Sequence, residues 1–211
     1  MEMLLLLLTA ATAFIALLAL IVIKGLRNSG SAPARRAHVC MVLGSGGHTT
    51  ELLRLASALP QTVYARRSYV LADTDKISYQ KLVTVEAEKE SGQFSVHTIP
   101  RSREVRQSYV SSVITTLRSL FYCIPLVCQL RPDLVLCNGP GTCIPVCAVA
   151  FLLDLFFVCR CRIVFIESVC RVRTLSLSGL ILYWFRIADR LLVQWPQLQQ
   201  KYPRTVFVGR L

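Results

Sequence analysis

Residues His38–Leu59 read HVCMVLGSGGHTTELLRLASAL. The segment His38–Leu43 is a compact apolar run that stops at Gly44. A short apolar run bounded by glycine predicts a buried strand. From Thr49 to Leu59, Leu52, Leu55, Ala56 and Leu59 recur at helical spacing, which predicts a helix. Gly44-Ser45-Gly46-Gly47-His48 therefore joins a strand to a helix. Glycines reach positive φ and let backbone approach a ligand closely. Free amides at the following helix start can hold a phosphate. The loop is not a dinucleotide fingerprint, because G-x-G-x-x-G counted from Gly44 needs glycine where Thr49 stands. It is not a P-loop either, since the Gly-Lys-Ser/Thr end is missing. A tight turn with a structural cap is the plain alternative to a ligand site.

The same alternation continues along the chain. Strands are expected at Ser68–Ala72, Gln93–Ile99, Asp133–Cys137, Arg162–Ile166, Arg190–Gln194 and Thr205–Val208. Helices are expected at Tyr109–Leu130, with Pro125 as a bend, at Cys143–Val158 and at Ser176–Ala188. Gln197–Tyr202 reads as a turn or short helix, and Lys76–Gly92 is polar and ambiguous. Strands alternating with helices predict an α/β, Rossmann-like, mostly parallel sheet with helices on both faces. Ligands in such sheets bind beyond the carboxyl ends of the strands. The loops to watch are Gly44–His48, Asp73–Asp75, Arg101–Glu104, Asn138–Thr142 and Glu167–Arg173.

Asn138-Gly139-Pro140-Gly141-Thr142 is a second strand–loop–helix junction. Gly141 and Thr142 would add amides and a hydroxyl at a helix start, so two such loops could clamp a diphosphate. Arg101, Arg103, Arg171 and Arg173 could supply countercharge, although each alone reads as a solvated surface residue. An imidazole exchanges protons near neutral pH, so His48 is a candidate general base; alternatively it only orients the loop. Glu167, straight after a strand, is a candidate base or polar contact, or it holds other residues in place.

Ahead of this domain, Met3–Ile23 is a run of 21 residues without a charge, matching the ~20 that cross a bilayer as a helix. A cleaved signal peptide is the competing reading, but its apolar core usually spans only ~7–15 residues. Lys24, Arg27, Arg35 and Arg36 follow the run, and the positive-inside rule then puts the body of the protein in the cytosol. The expected division is an anchor over 1–24, a basic linker over 25–36 and one domain over 37–211. The net charge of +12 and the mean hydropathy of +0.51 suit a basic domain beside anionic headgroups or phosphorylated ligands. No nucleic-acid motif is present. The nine cysteines form no regular framework and read as reduced thiols. No Cys/His spacing resembles a zinc site, and neither a metal nor a cofactor is expected. The apolar stretches Val113–Leu130 and Cys143–Val158 read as core helices, with contact to a bilayer surface as the sharper alternative.

The stretches VLGSGGHTTELLRL, YVLADTD, IPRSREV, RPDLVLCNGPGTCIPVCAVAFLL, IESVCRVRTLSLSG and VQWPQLQQKYP closely resemble the membrane-anchoring subunit of the UDP-N-acetylglucosamine transferase of asparagine-linked glycosylation. That family is similar to the bacterial lipid II transferase and belongs to the GT-B glycosyltransferases. The resemblance implies an endoplasmic reticulum membrane protein that recruits a soluble catalytic, UDP-GlcNAc-binding subunit to the cytosolic face. Together the two would transfer GlcNAc to GlcNAc-diphosphate-dolichol in the second step of lipid-linked oligosaccharide synthesis. Neighbouring enzymes of the pathway are further possible partners. By matching loop to loop, Gly44, Ser45, Gly46, Gly47 and Thr49 would face the acceptor diphosphate, and His48 corresponds to the proposed base. The resemblance also maps partner binding to the tail, with Trp195, Val206, Phe207, Val208 and Leu211. A GT-B enzyme needs two Rossmann-like halves, and about 175 residues after the linker make room for one. The alternative is a pure membrane scaffold whose loops take no part in acceptor binding or catalysis.

Overall fold

The computed structural model describes residues 9, 12, 15–16, 19–24, 36–88, 93–103, 107–139 and 141–210. The remaining anchor positions, most of the linker and Leu211 lie outside these. The described anchor positions are helical.

The order is β1 (His38–Val42), α1 (Gly47–Ala58), β2 (Arg66–Ala72), α2 (Lys76–Ala87), β3 (Gln93–Ile99), α3 (Tyr109–Leu130), β4 (Leu134–Asn138), α4 (Cys143–Leu155), β5 (Arg162–Ile166), α5 (Leu177–Trp184), β6 (Arg190–Val193), α6 (Pro196–Lys201) and β7 (Val206–Phe207). All strand pairs are parallel, in the order β3-β2-β1-β4-β5-β6-β7. The chain builds outward from β1 to β3. It then returns to lay β4 beside β1 and builds outward again. Alternate residues of each strand serve opposite faces. Val39 and Met41 pack with Leu52, Leu53, Ala56 and Leu82; Cys40 and Val42 pack with Val127, Val146, Cys147 and Leu182. Burial on both faces is why the strands carry continuous apolar runs.

Several boundaries differ from the sequence reading. The ambiguous polar stretch holds α2, which starts where the Asp75 carboxylate accepts from the Ser78 amide at 3.1 Å. A cap of this kind compensates for a weak apolar pattern. Strand β2 begins two residues early, at Arg66, because a partner lies beneath it. Arg67 donates from Nε and Nη2 to Glu86 Oε2 at 3.2 and 2.8 Å, and the Tyr69 hydroxyl donates to Oε1 at 2.6 Å. Both charged side chains of that pair are buried, at 2% and 1% exposed. Pro125 lies inside α3 without ending it. Lys24 is held inside the domain: its side chain is 5% exposed, and its Nζ lies 3.1 Å from both Asp154 Oδ2 and Asp189 Oδ1. All nine cysteines are free thiols, most of them buried, and burial pushes Cys40 up to about 12.

His38 is 5% exposed, with Nδ1 3.0 Å from Leu130 O and Nε2 2.8 Å from Ser68 Oγ. The carbonyl only accepts, so Nδ1 donates and the neutral ring satisfies both contacts. Burial, then the Arg66 charge, lowers its pKa. The folded state therefore binds the proton less well than the unfolded chain does. The contribution to stability is present above about pH 6.5, the ordinary histidine value, and is lost as pH falls below it. Thermal melting between pH 7.5 and 5.5 should show a falling midpoint, with a weaker slope in His38→Gln. An equal slope in that variant would assign the effect elsewhere.

Candidate functional site

Reversal of the strand order between β1 and β4 leaves a crevice at their carboxyl ends, the usual ligand position in open α/β sheets. The two glycine loops meet there. A cleft is lined by Leu43, Gly44, Ser45, Ala72, Asp75, Arg101, Arg103, Gly141 and Thr142. Four strand-end loops, after β1, β2, β3 and β4, converge on it.

Gly46 stands just before helix α1, and its φ of 65° and ψ of −121° suit glycine alone. No side chain caps α1, and none caps α4 at Thr142. By contrast, α2, α3 and α5 are capped by Asp75, Ser108 and Ser176. At α4 the Ile144 amide bonds Gly141 O at 3.1 Å; the other first-turn amides at these two starts meet no side-chain cap and suit an anion, favoured further by the helix dipole. Ser45, Gly46 and Gly47 are exposed. Thr49 turns inward instead: its hydroxyl bonds Gly44 O, and it lies 2.7 Å from Ser78 Oγ. Its role is to fix the loop from beneath.

Arg101 Nε donates to Thr74 Oγ1 at 3.0 Å, and Arg103 Nη2 to Gln107 O at 3.3 Å. Both guanidiniums are held at the cleft wall. Arg171 and Arg173 lie in exposed positions of the loop after β5 and do not line the cleft. Charge alone did not reveal which of the four arginines the fold gathers.

His48 stands beside the cleft at the second residue of α1, half-buried. Its Nδ1 is 2.9 Å from Asn138 Oδ1. A Cβ on Gly139 would come 2.7 Å from His48 Cγ, and Gly139 has φ +104°. Glycine is needed there both for the turn and for the ring. Asn138 is fully buried, and its Nδ2 donates to Glu51 Oε2 at 2.6 Å. Glu51 was missed in the sequence reading. The available signal was its position three residues after His48, which puts both on one helix face.

Glu167 lies inside, 1% exposed. Its Oε1 accepts from Ser168 N at 3.0 Å and its Oε2 from Ser176 N at 2.7 Å. Burial raises its pKa, and the bonds from Ser176 and Ser168 oppose that rise. A Cβ on Gly179 would lie 2.6 Å from its Oε2. With both oxygens engaged, Glu167 organises the loop after β5 and does not face the cleft. In the tail, Val206 and Phe207 pair with Leu192 and Val193 as the edge strand of the sheet. Phe207 and Val208 are exposed. Trp195 Nε1 donates to Val169 O at 2.7 Å, and Arg210 lies 4.6 Å over its ring.

A family pattern described as "Oligosaccharide biosynthesis protein Alg14 like" matches residues 39–211. The human UDP-N-acetylglucosamine transferase subunit ALG14 is 46% identical over 193 residues, covering 88% of both chains. The Yarrowia lipolytica subunit of the same name is 44% identical over 173 residues, covering 81% of this chain and 79% of that one. Among solved structures, MurG of Acinetobacter baumannii aligns with a TM-score of 0.60 at 20% identity, over 83% of this chain and 46% of that one. The UDP-GlcNAc 2-epimerase of Methanocaldococcus jannaschii aligns with a TM-score of 0.53 at 14% identity, over 79% and 42%. These two alignments concern the fold: the chain corresponds to less than half of each.

Proposed function

This chain belongs to the Alg14-like family of oligosaccharide biosynthesis proteins, and we propose that it is the membrane-attached, acceptor-side half of a UDP-GlcNAc transferase. In this reading a soluble subunit supplies the nucleotide-sugar half on the cytosolic face of the endoplasmic reticulum. The acceptor is GlcNAc-diphosphate-dolichol. The carrying observation is the convergence of two uncapped helix starts with Arg101 and Arg103 at one sheet edge. Backbone amides and two guanidiniums suit a diphosphate. The acceptor hydroxyl oxygen bonds to the sugar's anomeric carbon as the bond from that carbon to UDP breaks. His48, beside the cleft, takes the hydroxyl proton.

A lipid-borne acceptor requires the cleft to work at a bilayer. Helix α3 supports this. Val110, Val113, Ile114, Leu117, Phe121 and Ile124 are between 44% and 78% exposed and recur at helical spacing. Cys123, Val127 and Leu130 on the same helix are buried in the core. By length and composition Val110–Leu130 would suffice to cross a membrane. With one side committed to the sheet, it lies along the bilayer surface instead. The edge strand β7, with exposed Phe207 and the exposed Val208 that follows it, offers the soluble subunit a strand to extend and an apolar contact.

The test is reconstitution of the full chain in nanodiscs with the lipid acceptor and UDP-GlcNAc. Product should form only when the soluble subunit is added. Robust product from the chain alone would refute the split. Gly46→Trp should keep recruitment and lose activity, whereas a pure scaffold would keep both.

A further inference from the structure

We propose that Glu51, acting through Asn138, sets the tautomer of His48, leaving the lone pair on Nε2. The inference rests on the reading of His48 as the base and names what makes it one. Glu51 and His48 share α1, Asn138 ends β4, and Ser168 and Val169 follow β5, so three strand ends contribute.

The argument runs through atoms whose roles are fixed. Val169 N donates to Glu51 Oε1 at 3.3 Å, and Ser168 Oγ donates to the same oxygen at 3.3 Å. The other oxygen, Oε2, faces Asn138 at 2.6 Å. An ionised carboxylate only accepts. The Asn138 amide must therefore turn its Nδ2 to Glu51 and its Oδ1 to His48. Oδ1 also only accepts, so the hydrogen on His48 lies on Nδ1, 2.9 Å away. A neutral imidazole carries one such hydrogen, and Nε2 keeps its lone pair. Among the described residues Nε2 has no hydrogen-bond partner. The absent Cβ of Gly139 lets the ring lie against the loop in that orientation. Glu51 is thus a positioning residue.

Only a carboxylate accepts on both sides. In Glu51→Gln, the amide oxygen is needed by the Val169 N–H, which puts the Gln nitrogen against Asn138. Asn138 must then flip, present Nδ2 to His48, and move the imidazole hydrogen to Nε2. In Glu51→Gln/Asn138→Asp, the Gln nitrogen donates to one Asp oxygen, and the other accepts from His48 Nδ1. The double variant restores the working tautomer with the charge moved one residue along the relay.

The test uses the full chain in nanodiscs with its soluble subunit, labelled with ¹⁵N-histidine. The chain has three histidines, and His48→Gln assigns the signal. Nitrogen shifts separate the protonated from the lone-pair nitrogen. Wild type should show hydrogen on Nδ1. Glu51→Gln should move it to Nε2 and lower kcat about tenfold or more, with little change in acceptor KM. The double variant should restore both tautomer and most of the turnover. Hydrogen on Nε2 in wild type, or an unmoved tautomer in Glu51→Gln, overturns the relay. A tautomer that moves while turnover stays constant overturns the base assignment and leaves the relay standing.

Discussion

His48→Ala should lower turnover of the reconstituted transferase about 10²–10⁴-fold, the usual range for losing a positioned general base, while membrane attachment and subunit recruitment persist. The expectation follows from location. His48 sits beside the cleft, tied at Nδ1 by Asn138 and backed by Gly139. Its side chain forms no part of either apolar cluster, so truncation should leave the core intact. The main loss should fall on kcat, because the proton moves only in the reacting complex. Steady-state kinetics in nanodiscs, with pull-down of the soluble subunit as control, measure both sides. Unchanged turnover with intact recruitment would mean that His48 only orients the loop and that the base comes from the other subunit.

Glu86→Ala should cost about 3–5 kcal/mol of stability, the range for breaking a buried ion pair by removing one partner. That is a large part of the 5–15 kcal/mol typical of a folded domain. The carboxylate joins Arg67 and Tyr69 of β2 to α2. Its loss leaves a guanidinium that is 2% exposed without its counterion. Arg67→Met/Glu86→Leu removes both charges and should be clearly more stable than Glu86→Ala, because no isolated charge is left buried. Chemical denaturation of the three chains orders them. A loss below about 1 kcal/mol in the single variant, the scale of a surface pair, would show that water reaches Arg67.

The sequence disclosed the elements whose signals are local. Strands β3 and β5 and helix α3 lie where apolar runs and their polar or Pro boundaries put them. Helix α2 was obscured because its stability comes from the Asp75 cap and the Glu86 network, neither of which leaves an apolar stripe. In the site, the glycine loops were readable because their backbone angles and close approaches require glycine. The arginines were readable only as a group. The fold places Arg101 and Arg103 at the cleft and Arg171 outside it, depending on where the loops after β3 and β5 turn. Glu51 resembled any exposed helix carboxylate until Asn138 and Val169 were brought against it.

By itself, then, the sequence determined an α/β chain with two glycine-rich strand–helix junctions, for which short-range sterics and periodicity suffice, while its family showed only through the resemblance of whole motifs. The strand order came only from the tertiary structure. Laying β4 beside β1 depends on how crossover helices pack on the two faces, which no local segment encodes. That placement turns two separate glycine loops into one cleft. It also joins Glu51 to Asn138 across 87 residues and to Val169 across 118, so the orientation of His48 is a property of the folded sheet edge.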